Sequence, residues 1–433
     1  MKMAELKKGY RLNPDAEWVG EVPDSWEFFK GKYVFGERFE KGNEKNLELL
    51  SPTQKYGVIP QNMYDELSGM RAVKVKESTD LSLFKTVHVG DFCISLRSFQ
   101  GGFEYSKYEG VVSPAYHILF PKKIIEDGYY KYLFKEQSFI AEMNSYCQSL
   151  RDGKNISYAD FGKTLIPYPP LEEQHAIASY LDDRCSKLDE IITEAEKSIE
   201  EYKELKQAVI FEAVTKGLDK KNVKMKDSGV EWLPHIPASW DVRRIASVYE
   251  ESKETGRDDL PILLVSIHTG ISDREVDNDE RDRKVIRSED KTVYKVVHKN
   301  YLAYNMMRAW QGGFGAATVD GLVSPAYVVA KPKIEVNSSY VEHVLRTPNA
   351  IEHIRGLSYG VADFRLRLYW PYFKNIKVPL PPIEEQNKIV SYIQDQSNKM
   401  DALISEKQSF IEDLKAYKKS LIYEVVTGKR RVV

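Results

Sequence analysis

The feature that most limits what this chain can fold into is that it repeats itself. The same landmarks occur twice, in the same order, roughly 210 residues apart. Trp18, Pro23 and Trp26 return as Trp232, Pro237 and Trp240. Residues 49–57 have a fainter echo in residues 263–270. Arg-Ser-Phe-Gln-Gly-Gly-Phe at 97–103 recurs as Arg-Ala-Trp-Gln-Gly-Gly-Phe at 308–314. Gly-Val-Val-Ser-Pro-Ala-Tyr at 110–116 becomes Gly-Leu-Val-Ser-Pro-Ala-Tyr at 321–327, and Pro-Pro-Leu-Glu-Glu-Gln at 169–174 becomes Pro-Pro-Ile-Glu-Glu-Gln at 381–386. A period this long is not a solenoid. It reads as a duplicated domain with its tail.

Each copy has two parts. The first mixes short β-like runs, such as residues 91–96 and 116–120, with helical patterns near 129–146 and 340–354. The expected class is α/β (α+β). The second part is a long helix, announced by Pro-Pro and then Glu-Glu, which suit the first turn and its dipole. Its heptad stripe runs through Ile177, Leu181, Leu188, Ile191, Ala195, Ile199, Tyr202, Leu205, Val209 and Ala213. The second stripe runs through Ile389, Ile393, Met400, Leu403, Ile411, Leu414, Tyr417, Leu421 and Val425. Ile192, Ile210, Ile404 and Ile422 lie beside these seams, wide enough for partner helices. Thr215 to Gly217 and Thr427 to Gly428 supply the stops. The expected division is 1–168 globular, 169–218 helix, 219–380 globular and 381–433 helix. The stripes pair most simply with each other, as a coiled-coil rod of about 65–70 Å. The intervening domain leaves their direction open.

Composition bounds the partners. Net charge is −2, so basic residues must be concentrated locally, or a partner must supply phosphate attraction, if the chain binds DNA. Three scattered cysteines fit a reducing cytoplasm and exclude a disulfide framework. No apolar run is long enough to span a membrane, and the first residues do not resemble a signal peptide. Enzyme signatures are missing too. There is no phosphate-binding loop ending in Gly-Lys-Ser/Thr, no dinucleotide fingerprint and no histidine spacing for a metal. The Ser-Pro-Ala-Tyr tetrads lack the amide and second proline of amino-methyltransferases and read as strand entries. The Glu-x-Lys spacing at Glu289 and Lys291 has no aligned counterpart.

Taken together, the Trp-x-x-x-x-Pro-x-x-Trp entry, the Gln-Gly-Gly loop before Ser-Pro-Ala-Tyr and the Pro-Pro-Leu/Ile-Glu-Glu-Gln helix start resemble the specificity subunits of type I restriction–modification systems. The resemblance spans nearly the whole chain. It implies two target-recognition domains, each reading half of a bipartite, asymmetric DNA site. It implies an antiparallel coiled coil that sets the spacer, in a pseudo-two-fold arrangement. It implies a non-catalytic chain, with two modification subunits that bind S-adenosylmethionine and methylate adenine. Two restriction subunits using ATP and magnesium are the optional remainder. The alternatives are a coiled-coil adaptor or an autonomous DNA-binding protein.

Residues that recur in both halves cannot encode two different half-sites. Arg97, Gln100, Arg308 and Gln311, beside the glycine loops, therefore suit phosphate contact or scaffold better than base reading. Base-reading candidates lie where the halves diverge. In the first half these are Gln54, Lys55, Tyr56, Gln61 and Arg71. In the second they are His268, Thr269, Arg274, Arg281 and Arg283. No residue is expected to be catalytic or to bind metal.

Overall fold

A computed structural model describes residues 8–41, 47–69, 81–94, 102–146, 156–219, 223–257, 259–274, 290–360 and 366–432. The chain forms two compact units: Met1–Ala195 with Ser409–Val433, and Glu196–Gln408. Each unit thus holds one globular repeat and a half of each long helix.

In the first unit, β1 (Phe35–Glu37), the hairpin β2 (Leu50–Thr53) and β3 (Gly57–Pro60), β4 (Phe92–Ile94), β5 (Phe103–Tyr105) and β6 (His117–Pro121) precede α1 (Asp127–Leu133), α2 (Gln137–Ser145) and the long α3 (Leu171–Lys216). The main sheet is antiparallel in the order β1-β6-β4-β5. Its central strands β4 and β6 are largely apolar because both faces are covered. Phe92, Ile94 and Leu119 enter an aromatic core with Phe35, Tyr130, Phe134 and Phe139. Cys93 and Ile118, one residue out of phase, enter a second cluster with Leu50, Val58, Val87 and Val112. Phe134 stacks on Phe139 at 5.0 Å, and Phe35 meets Tyr130 edge-on at 5.2 Å. Each such ring removed from water contributes roughly 1.5–3 kcal/mol. Glu126 and Glu136 cap α1 and α2 by accepting backbone N–H bonds.

The second unit repeats this frame with β7 (Tyr249–Ser252), the short hairpin β8 (Val265–Ser266) and β9 (Gly270–Ile271), β10 (Leu302–Asn305), β11 (Phe314–Ala316), β12 (Tyr327–Pro332), α4 (Ser338–Leu345), α5 (Pro348–Leu357) and the long α6 (Ile383–Val426). The sheet order is β7-β12-β10-β11. The alternation recurs: Leu302 and Tyr304 face the main core, and Ala303 and Val329 the smaller cluster.

The repeated sequence landmarks are structural joints. Gln174, fully buried, donates to the Pro169 carbonyl and accepts from the Glu126 amide, at 2.8 and 2.9 Å. Gln386 makes the same two bonds, to Pro381 and Asn337. The tyrosine of each Ser-Pro-Ala-Tyr turn leads into a strand, β6 or β12, and its carbonyl accepts from Lys85 or Lys295 at 2.6 Å. Tyr129 donates to Val426 at the end of α6, and Tyr340 to Val214 at the end of α3. These bonds satisfy carbonyls that a helix terminus leaves open. Gly217 and Gly428 then turn the chain at φ +77° and +72°.

The helices run antiparallel in both units. In the first, Glu173 meets Arg431 and Asp189 meets Lys418. In the second, Lys206 meets Asp401 and the Tyr202 ring lies under Lys407. The seam corrects the sequence reading at two places in each helix. Ile191, Leu205, Leu403 and Tyr417 are 40–51% exposed, whereas Ile192 is buried. From Leu181 the seam steps by four and three through Cys185, Leu188, Ile192, Ala195 and Ile199 to Lys206. In α6 the matching positions are Ile404 and Lys418. A lysine can occupy a seam position because its ammonium snorkels to an aspartate on the other helix.

Candidate nucleic-acid interface

The candidates of the first unit gather at one turn. Gln54, Lys55 and Tyr56 connect β2 to β3, where Thr53 accepts the Tyr56 amide at 3.1 Å and donates to the Gly57 carbonyl at 3.0 Å. Gly57 closes the turn at φ +74°, a conformation suited to glycine. The Lys55 ammonium sits 5.0 Å from the centre of the Tyr56 ring. Gln61 opens the helix Gln61–Ser68 after Pro60 and stands apart from the turn. Arg71, Arg97 and Gln100 lie outside the described residues.

Behind that turn is a cavity of about 450 Å³. The turn forms one wall; β5 and its following turn, α1 and the last part of α6 form the others. It is rich in lysine and tyrosine: Lys55, Lys107, Lys131, Lys135 and Lys418, with Tyr56, Tyr105, Tyr108 and Tyr132. Lys131 pairs with Asp182, Lys135 with Glu104 and Lys418 with Asp189, all within 3 Å. Among the described residues, no carboxylate pairs with Lys55 or Lys107. Glu104 is almost completely buried and lines the cavity, and burial pushes its carboxyl up to about 7 despite Lys135. Sequence reasoning missed this wall. The available signal was Lys131 and Lys135, four residues apart at the end of α1 and just beyond it.

In the second unit, His268 and Thr269 occupy the exposed turn between β8 and β9, equivalent to Lys55 and Tyr56. Arg308 and Gln311 flank a single turn, Ala309–Gln311, in which the Arg308 guanidinium donates to the Gln311 side-chain oxygen at 3.1 Å. Gly312 follows at φ +86°, and the Gly313 amide returns to the Arg308 carbonyl at 2.9 Å. Arg346, the C-cap of α4, holds the β8–β9 turn and passes beside Gly312. It donates to the carbonyls of Ile267 and His268 at 2.9 and 2.6 Å. A Cβ added to Gly312 would stand 4.0 Å from its Cγ. Glu342, four residues earlier, holds Arg346 at 2.8 Å and accepts the Ala316 amide. Burial raises the Glu342 carboxyl above its ordinary range. Arg274 is exposed beyond β9, and Arg281 and Arg283 lie outside the described residues.

Among the described residues no group of three or more metal-binding side chains gathers. Among them, too, no helix is long and apolar enough to cross a membrane.

Residues 23–201 match the type I restriction modification DNA specificity domain. The chain is 25% identical to the type I restriction enzyme MjaVIII specificity subunit of Methanocaldococcus jannaschii, covering 95% of this chain and 94% of that protein. It is 28% identical to the EcoBI specificity subunit of Escherichia coli over 63% of this chain and 60% of that one. Among solved structures, a chain of a type I restriction–modification system, studied for complex assembly and conformational transition, superposes with a TM-score of 0.67 at 14% identity. That superposition covers 94% of this chain and 99% of the other. The HsdS subunit of Thermoanaerobacter tengcongensis superposes at 0.52 and 15% identity, covering 94% and 98%. The family and fold inferred from the repeats are thereby borne out.

Proposed function

Taking the chain as a member of the type I restriction–modification specificity-subunit family, we propose that it is the sequence-reading, non-catalytic subunit of such an enzyme. Each globular repeat reads one half of a bipartite, asymmetric site in double-stranded DNA. The observation that carries this reading is one frame bearing two unlike turns. Gln54, Lys55 and Tyr56 stand where the second unit has Ile267, His268 and Thr269. Equal frames suit two half-sites, and unlike turns suit two different sequences. Arg308 with Gln311 is better placed for phosphate than for base reading, because the guanidinium already holds the glutamine oxygen that pairing with adenine would use.

The long helices set the spacer and dock the modification subunits. Exposed apolar side chains recur at matched positions of the two helices: Ile191 with Leu403, and Leu205 with Tyr417. A face used twice suits two copies of one partner. S-adenosylmethionine belongs to those partners, and ATP with magnesium to restriction subunits where they join. The assembly works in the cytoplasm.

Mapping adenine methylation genome-wide, with and without the gene, tests the reading. A split motif that disappears on deletion is the expected result. Exchanging residues 1–168 for the corresponding domain of another such subunit should then change one half-site only. A change in both halves would overturn the one-domain-per-half assignment.

A further inference from the structure

We propose that the cavity of the first unit is a binding site for a nucleoside phosphate. Its phosphate would lie on Lys55 and Lys107, and its base among the tyrosines beside Glu104. This goes beyond sequence reading, which needs only exposed turns. The cavity, about 450 Å³, lies within the roughly 300–1,000 Å³ range of small-molecule sites. Two of its ammonium groups, Lys55 and Lys107, form no ion pair with a described carboxylate, although the Lys107 charge acts on Asp182, so they remain open to an anion. The hydroxyls of Tyr105 and Tyr132 are engaged by Asp127 and Asp182. These residues therefore offer the cavity mainly aromatic surface, which stacks with any base. Glu104 is 1% exposed, and one of its oxygens has no hydrogen-bond partner. A buried oxygen left unpaired is costly and calls for a donor. An exocyclic base amine is such a donor.

The second unit shows that the frame does not require this opening. There Glu342 and Arg346 occupy the positions of Lys131 and Lys135, and Arg346 donates to the backbone of the β8–β9 turn. A Cβ on Gly270 would stand 2.4 Å from the Glu342 carboxylate, so side chains already fill that corner. Among the described residues, it is the first unit that carries this lysine-lined cavity.

Calorimetric titration of the full chain with AMP, and separately with inorganic phosphate, tests the proposal. One AMP site per chain is expected, weakened at least about tenfold by Lys107→Ala, an exposed position, and by the double change Lys131→Glu with Lys135→Arg. The melting temperature of Lys107→Ala should stay at the parent value, so that loss of binding is not loss of fold. No saturation below about 10 mM AMP, or affinity unchanged in Lys107→Ala, would overturn the proposal. Inorganic phosphate binding as tightly as AMP would overturn the base contact. Competition by a short single-stranded oligonucleotide identifies a nucleotide within a DNA strand as the occupant; its failure identifies a free nucleotide. Either result supports the site. Failure of AMP to bind, with duplex recognition intact, would leave the proposed sequence-reading role standing.

Discussion

The two units share a frame and differ in what fills one corner of it. In the first, an acid on the sheet, Glu104, pairs with Lys135 just beyond α1, Lys131 of α1 pairs with Asp182, and space remains. In the second, Gly315 stands at the position of Glu104, the acid has moved to the helix as Glu342, and Arg346 reaches the turn beyond. In the first arrangement the lysines pair with Asp182 and Glu104 beside a cavity; in the second, Arg346 pairs with Glu342 and reaches the turn. After duplication, then, the backbone joints were retained while a trio of charged side chains was redistributed. An arginine fork can tie a helix to a turn by two carbonyl bonds, whereas a lysine is a point charge. The exchange therefore makes one turn rigid and leaves the other adaptable.

The comparison breaks most visibly if the arginine is removed. Arg346→Ala leaves Glu342 buried without its cation and frees the β8–β9 turn. The expected cost is about 3–5 kcal/mol, read from urea unfolding. Lys135→Ala, its counterpart, should cost only about 1–3 kcal/mol, because Lys135 holds Glu104 alone, whereas Arg346 also holds two carbonyls of a turn. Equal losses would show that the two corners are not energetically different.

A second effect is a pH dependence to which Glu104 of the first unit contributes. The Glu104 carboxyl lies at about 7 in the folded chain, against 4.5 ordinarily. The folded state therefore binds a proton that the unfolded state releases over that interval. The corresponding stability is complete below about 4.5 and disappears as pH rises through about 7. Glu104→Gln should flatten the stability profile across this window, measured by denaturant midpoints at several pH values. A slope equal to that of the parent chain would assign the dependence elsewhere.

The smallest effect concerns the seam. Reversing the charges of Lys206 and Asp401 together should change stability by no more than about 1 kcal/mol, while Lys206→Asp alone places two acids opposite each other and costs more. A double reversal as damaging as the single one would show that the pair is not an isolated partnership.

The repeat, the helices and the joints at Gln174 and Gln386 were legible in the sequence because they depend on local chemistry that occurs twice. The seam was misread where two candidates are adjacent: Ile191 beside Ile192, Leu205 beside Lys206, Leu403 beside Ile404, Tyr417 beside Lys418. Periodicity alone does not choose between neighbours. At Lys206 and Lys418 the seam position meets an aspartate on the other helix, which is far away in sequence. The β2–β3 turn was legible as a divergent segment. Its cavity was not, because Lys418 and Ile422 reach it from the far end of the chain.

Those seam lysines have one more consequence. Asp189 and Lys206 on one helix are separated by as many residues as Asp401 and Lys418 on the other, and the two pairs are crossed. Each helix therefore carries two marks the same number of residues apart. A residue inserted between the marks on one helix alone misaligns one pair or the other, and only a matching insertion between the marks on its partner brings both back into coincidence. The two stretches are thereby bound to change length together.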